Sequence, residues 1–200
     1  RLESGRGEGR MTRMRTPGKA SRILTALLWA AGWCALILLD LQTKAAAVRA
    51  LQRKPPIILV NGVLELLYVQ NTGAAFSLLE NAQWLFILIA VAAVLLISVF
   101  LIRLPKTKRY QPLHILLTFI SAGAVGNLID RIQLGYVRDF IYFSIIDFPV
   151  FNVADIYVTV STALLVILVL FYYREEDFHD FRLFHRKCSS SIAIIGQGSL

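Results

Sequence analysis

Cysteine is nearly missing from this chain of 200 residues, with only Cys34 and Cys188 present. Cys34 lies inside an apolar run and Cys188 near the C-terminus, so no disulfide framework is implied. Charge is scarce too: 17% of residues are Asp, Glu, Lys or Arg, against 56% hydrophobic. A compact water-soluble domain has too little interior to hide that much apolar surface. The three histidines, His114, His179 and His185, form no HExxH pair, which argues against an intramembrane zinc protease. Nothing in the spacing sets Ser77 or Ser144 beside Lys44 as a Ser/Lys dyad, and Cys34 reads as packing before it reads as a nucleophile. There is no internal repeat, and no basic motif interleaved with aromatics. The net charge of +8 is therefore a matter of topology and not a nucleic-acid footprint.

What the chain does have is four long uncharged runs: Ile23 to Leu39, Ala82 to Ile102, Gln111 to Ile129 and Ile156 to Tyr173. Each comes close to the ~20 residues that a helix rising ~1.5 Å per residue needs to cross a ~30 Å hydrocarbon layer. Four such runs leave too little polar chain to wrap them in water. Trp29, Trp33, Trp84, Tyr142, Tyr172 and Tyr173 sit mostly toward the run ends, where interfacial aromatics belong. The first run is too long for a cleavable signal and is followed by Asp40 through Lys44, so a retained span is expected. Arg1, Arg6, Arg10, Arg13, Arg15, Lys19 and Arg22 precede it, and Arg103, Lys106, Lys108 and Arg109 join the second run to the third. By the positive-inside rule these segments are expected in the cytoplasm, and with four spans so is the C-terminal tail. The expected organisation is a basic tail over 1–22, a four-span domain over 23–173 and a second tail over 174–200.

The expected fold is thus an all-α membrane protein carrying a small extracytoplasmic β element. Pro55-Pro56 stops any preceding helix. Ile57 to Val60, the turn pair Asn61-Gly62 and Val63 to Gln70 read as a β-hairpin. Gly73 to Asn81 is expected to form a short surface helix, and the loop from Asp130 to Phe151 to lie against the bilayer.

Polar residues gather at one membrane face: Asp40 and Lys44 at the end of the first span, Asn71 in the loop, Asn127, Asp130 and Arg131 at the end of the third, then Asp139, and Asn152 with Asp155 at the start of the fourth. Such a gathering is costly unless the groups are paired or functional. Asn127, Asp130 and Arg131 are spaced to share one helix face, and Ala122, Gly123, Ala124 and Gly126 allow close helix packing. Asn152 is placed to N-cap the fourth helix, which puts Asp155 in its first turn and brings it toward Asp139. Two carboxylates brought close tend to share a proton, an arrangement suited to peptide hydrolysis. The alternative is that each Asp caps a helix or pairs with Arg131, Arg138 or Lys44. A carrier would place its ionisable groups near the bilayer midplane on broken helices, whereas these crowd one surface. A purely structural bundle leaves the cluster without a role.

Asp40-Leu-Gln-Thr-Lys44, Asn71-Thr-Gly-Ala-Ala-Phe-Ser77, Gly126-Asn-Leu-Ile-Asp-Arg131, Gly135-Tyr-Val-Arg-Asp-Phe140 and Phe151-Asn-Val-Ala-Asp155 together resemble lipoprotein signal peptidase, also called signal peptidase II, from about Ile23 to Tyr173. The resemblance implies a bacterial inner-membrane aspartyl endopeptidase that removes signal peptides from prolipoproteins, cutting before a cysteine that already carries diacylglycerol. Asp139 and Asp155 would be the catalytic pair; Asn71, Asn127, Arg131 and Asn152 would hold substrate or order the pair; Asp40, Lys44 and Asp130 would support it. No metal and no cofactor are implied. The partners would be the lipid-modified substrate and membrane lipids, with no nucleic acid, and a monomer is expected. Arg138 stands where the family usually has an apolar residue, and Ser161 or a neighbour replaces a usual glycine. Helix position leads us to expect the charge on Asp155 and the proton on Asp139, with Arg138 next door partly offsetting that division.

Overall fold

A computed structural model describes residues 19–73, 83–174 and 177 of the chain. Four helices long and apolar enough to cross a membrane dominate it. The elements run α1 (Lys19–Leu51), β1 (Ile57–Val60), β2 (Leu64–Asn71), α2 (Gln83–Arg103), α3 (Gln111–Leu134), β3 (Val137–Phe143) and α4 (Val153–Phe171). The chain divides into two compact units, Arg1–Gly32 and Trp33–Leu200. In the first, Ile23, Leu24, Leu27 and Leu28 are all exposed, as a span clothed by lipid requires.

The first span does not stop at its acid. The apolar run ends before Asp40, yet α1 continues to Leu51. The reason is that Asp40 and Lys44 stand four residues apart on one face and neutralise each other, with 2.8 Å between Oδ2 and Nζ. The helix ends where Arg53 turns left-handed (φ 59°) ahead of Pro55-Pro56, which cannot continue it.

α2 buries no residue fully: one side is exposed, as lipid-facing residues are, and the other is half-buried where it packs on α3. α3 is different, because Ala122, Gly123 and Gly126 are all buried. A Cβ on Gly123 would lie 2.5 Å from the Ala154 carbonyl oxygen of α4. One on Gly126 would overlap Asp40 Oδ2 and lie 3.1 Å from that carboxyl carbon. Small residues here let α1, α3 and α4 meet backbone to side chain. Gly135, left-handed at φ 78°, closes α3 by donating its N–H to the Arg131 carbonyl at 3.1 Å.

The expected hairpin is present, with β1 and β2 antiparallel around Asn61-Gly62. The loop from Asp130 to Phe151 is more ordered than expected. Its middle forms β3, antiparallel to β2, making a three-stranded sheet of order β1-β2-β3. The physical reason lies in Val137, Phe140, Ile141, Tyr142 and Phe143, β-branched and aromatic residues that pack well on a pleated sheet. Phe140 and Ile141 also donate to the Phe151 carbonyl at 3.0 and 2.9 Å, which folds the rest of the loop back against the strand. Phe140 joins Ala47 and Leu51 in a core beneath the sheet. The surface helix expected at Gly73 to Asn81 falls almost wholly outside the described residues.

Candidate active site

β3 delivers Asp139. Successive side chains of a strand point to opposite faces, so Asp139 and its neighbour Arg138 part company. The Arg138 guanidinium turns to Asp130, with Nη2 2.5 Å from Oδ1, and its backbone N–H donates to Asp130 Oδ2 at 3.1 Å. The expectation that Arg138 partly neutralises Asp139 is therefore corrected: strand alternation carries its charge to the other face, onto Asp130.

Asp139 faces instead toward amide donors. Asn71 lies two residues beyond Val69, the β2 partner of Asp139, and so on the same sheet face. Its Nδ2 donates to Asp139 Oδ2 at 2.8 Å. Asn152 Nδ2 donates to Oδ1 at 2.7 Å. Asp139 is 1% exposed. Burial, and after it the negative charge of Asp155, pushes its carboxyl from 3.8 up to about 7, against the pull of those two amides.

α4 delivers Asp155. Asn152 caps the helix: its Oδ1 accepts the Asp155 N–H at 3.0 Å, while Asp155 Oδ2 accepts the Asn152 N–H at 3.1 Å, a reciprocal capping box. Asp155 Oδ1 accepts from Asn127 Nδ2 at 2.7 Å. Capping and the approach to Asp139 were alternative readings of Asp155 in the sequence, and the geometry contains both. Asn152 likewise does two jobs, capping Asp155 through its oxygen and holding Asp139 through its nitrogen.

Behind the carboxylates lies a second layer. Lys44 Nζ donates to Asn127 Oδ1 at 2.8 Å and stands 3.5 Å from Asp130 Oδ2. Asp40 Oδ1 accepts the Ala154 N–H at 2.9 Å, tying α1 to the first turn of α4. The side chains of Asp40, Lys44 and Asp130 have no exposure at all.

In front is a cavity of about 800 Å³. Asn71, Arg131, Asp139 and Asp155 supply its polar groups, and Leu64, Ile141, Phe143, Ile146, Phe148, Phe151, Ile156 and Val160 supply apolar wall. Arg131 lies with its guanidinium 5.2 Å from the Phe86 ring centroid. Among the described residues its buried Nε has no hydrogen-bond partner. All nine residues singled out in the sequence thus belong to one connected site. The sequence reading missed the apolar walls, since Phe143, Ile146 and Phe148 carry no motif and only the return of the loop along β3 brings them to the acids. It also missed the Ala154 N–H as a partner of Asp40; the small residues Gly123 and Gly126 signalled close helix packing but not which groups would meet there.

Such a site holds two carboxylates, one with its proton near neutrality, beside an apolar space at a helix end. It suits acid–base hydrolysis of a chain with greasy substituents.

The chain is similar to known proteins. Residues 33–171 match the family model described as signal peptidase (SPase) II. A lipoprotein signal peptidase of Clostridioides difficile (strain 630) is 43% identical over 137 residues, covering 68% of this chain and 90% of that protein. One of Streptococcus pyogenes serotype M6 is 41% identical over 121 residues, covering 60% and 76%. Two solved structures, each described as a bacterial membrane enzyme, superimpose with TM-scores of 0.61 and 0.63 at 26% and 28% identity. The first covers 74% of this chain and 88% of its own, the second 76% and 96%. This chain is a multi-pass membrane protease that removes signal peptides from lipoproteins, and it belongs to the signal peptidase II family.

Proposed function

We propose that Asp139 and Asp155 are the catalytic aspartates of an endopeptidase that cuts diacylglyceryl-modified prolipoproteins just before the lipidated cysteine. The observation that carries this is a single one. Two carboxylates, from β3 and from the start of α4, open on one largely apolar cavity, and the one on β3 is pushed up to about 7. At neutral pH Asp139 keeps its proton for a large fraction of the time. Asp155 receives N–H groups from Asn127 and Asn152, which match an ionised, acceptor-only carboxylate.

The step follows from that division. Asp155 takes a proton from a water as the water oxygen bonds to the scissile carbonyl carbon. Asp139 gives its proton to the carbonyl oxygen, and a neutral tetrahedral intermediate forms. Asp155 then passes its proton to the peptide nitrogen while Asp139 takes one back from a hydroxyl of the intermediate, so that the C–N bond breaks, the carboxylic acid forms and the pair is regenerated. Asn71 holds Asp139 in place, and Arg131 lines the cavity as a cation for a substrate carbonyl. The apolar walls suit the acyl chains and the apolar part of the signal peptide.

The site lies at the end of the bundle where α1 finishes and α4 begins. Arg103, Lys106, Lys108 and Arg109 belong to the opposite end, which supports a cytoplasmic location for that end and an active site at the outer face of the bacterial inner membrane, with both termini inside.

Purified protein incubated with a diacylglyceryl-modified prolipoprotein should release the signal peptide, and mass spectrometry should show the lipidated cysteine as the new N-terminus. The unmodified precursor should be cut far more slowly. Equal cleavage of both precursors, or a cut elsewhere, would remove the lipid from the recognition element.

A further inference from the structure

The buried lysine of α1 lines no part of the cavity and makes no hydrogen bond to either aspartate of the pair, yet it is bonded to Asn127, which is bonded to Asp155. Lys44 Nζ lies 2.8 Å from Asn127 Oδ1, and Asn127 Nδ2 lies 2.7 Å from Asp155 Oδ1. We propose that Lys44 is a positioning residue for the aspartate pair: its ammonium fixes the sense of the Asn127 amide, so that the NH₂ side of Asn127 is presented to Asp155. This inference rests on the assignment of Asp139 and Asp155 as the reacting groups.

The chemistry of the three groups allows one order only. An ammonium can donate and never accept, an ionised carboxylate can accept and never donate, and a primary amide has one end of each kind. A line from lysine through asparagine to aspartate must therefore run Nζ to Oδ1 and Nδ2 to carboxylate. Asn152 reinforces the same sense, since its Nδ2 also donates to Asn127 Oδ1, at 3.1 Å, while serving Asp139 Oδ1 at 2.7 Å. Without the ammonium, Asn127 Oδ1 keeps one neutral donor, and turning the amide over costs far less. Turned over, Oδ1 would face the Asp155 carboxylate, and two acceptors would meet where a donor is needed.

Burial explains why the lysine is suited to this task. Its side chain has no exposure, so it cannot swing out to water, and its charge is met by Asp40 at 2.8 Å and Asp130 at 3.5 Å. Asp40 in turn is fixed by the Ala154 N–H and by the close approach of Gly126. Asp130 is fixed by Arg138. The ammonium is thus held from two sides and has one direction left in which to donate to a neutral acceptor. Breaking a buried ion pair one partner at a time leaves an uncompensated charge, so a simple deletion of Lys44 would confound positioning with folding.

The test is therefore a cycle on kcat with the full-length enzyme in detergent micelles and a diacylglyceryl-modified prolipoprotein. The first arm is Lys44→Met together with Asp40→Asn, which removes the pair's charges as a unit and leaves an oxygen for the Ala154 N–H. The second arm is Asn127→Leu, and the third combines them, with thermal unfolding recorded for each. The first arm should lose about a hundredfold in kcat, the cost of a misdirected reacting group, with KM little changed. Asn127→Leu should lose a similar factor, and the combination should lose no more than the larger of the two. Lys44→Gln with Asp40→Asn restores a donor toward Asn127 and should recover part of the lost kcat. Losses that multiply in the combination, no recovery with Gln, or wild-type kcat in the first arm would each overturn the assignment of Lys44. Absence of cleavage by the wild-type enzyme would instead overturn the aspartate-pair reading, and this one with it.

Discussion

Ion pairs occur at both ends of the helix bundle, and they are unlike in burial and in consequence. Where α3 begins and α4 finishes, Arg109 meets Asp177 at 2.6 Å with side chains 38% and 19% exposed. Its guanidinium also lies 4.3 Å from the Tyr172 ring centroid, beside the stacked Tyr110 and Tyr173. Water and salt screen such a pair, and it contributes little beyond tying one segment to the next. Where α1 finishes and α4 begins, Asp40, Lys44 and Asp130 are fully buried with Arg138 against them. Charges taken out of water are expensive, and an apolar substitute would often serve stability as well or better. Their retention is understood from what they hold: Asp40 the first turn of α4, Asp130 the backbone of β3, and Lys44 the asparagine between them. Those are the two elements that carry the aspartates.

The two ends should differ most in activity. Asp139→Asn and Asp155→Asn should each lower kcat/KM roughly ten-thousandfold or more, and the double variant should be little worse, because in the proposed mechanism both groups act in one step. The proteins should remain folded and membrane-inserted. Near-normal turnover by either single variant would take that residue out of the pair.

A moderate effect concerns stability and pH. The Asp139 carboxyl ionises at its ordinary 3.8 in the unfolded chain and at about 7 in the folded one. Between those values the folded state binds more protons, so this group's contribution is fully present below about pH 4 and is lost as pH rises through about 7. Asp139→Asn removes that dependence. Its Tm relative to wild type, followed by intrinsic fluorescence in detergent, should therefore rise steadily from pH 4 to 7. A constant difference would mean the buried carboxyl ionises like an exposed one.

The smallest effect belongs to the exposed end. Arg109→Ala should lower Tm slightly and leave kcat/KM unchanged. A large loss of cleavage with Tm intact would show that the two ends communicate and that exposure is a poor guide to their division of labour.

The four spans, the hairpin around Asn61-Gly62 and all nine polar residues of the candidate site were legible in the chain alone. The reason is physical: lipid admits only long uncharged helices, and a charge kept at a membrane face demands a purpose. The cap of α4 was also legible, because Asn152 and Asp155 lie three apart and capping is local chemistry. β3 was not legible as a strand, since Val137 to Phe143 has no hairpin turn of its own and forms by pairing with β2, more than sixty residues earlier. Nor was the direction of Arg138, which the alternation of that strand decides, nor the length of α1, which the pairing of Asp40 with Lys44 extends. Local composition and spacing are enough to say which groups sit at one membrane face and which helix ends carry them. Which acid meets which amide is settled in three dimensions, because it depends on a strand register and on glycine-mediated contacts between α1, α3 and α4 that no local spacing encodes.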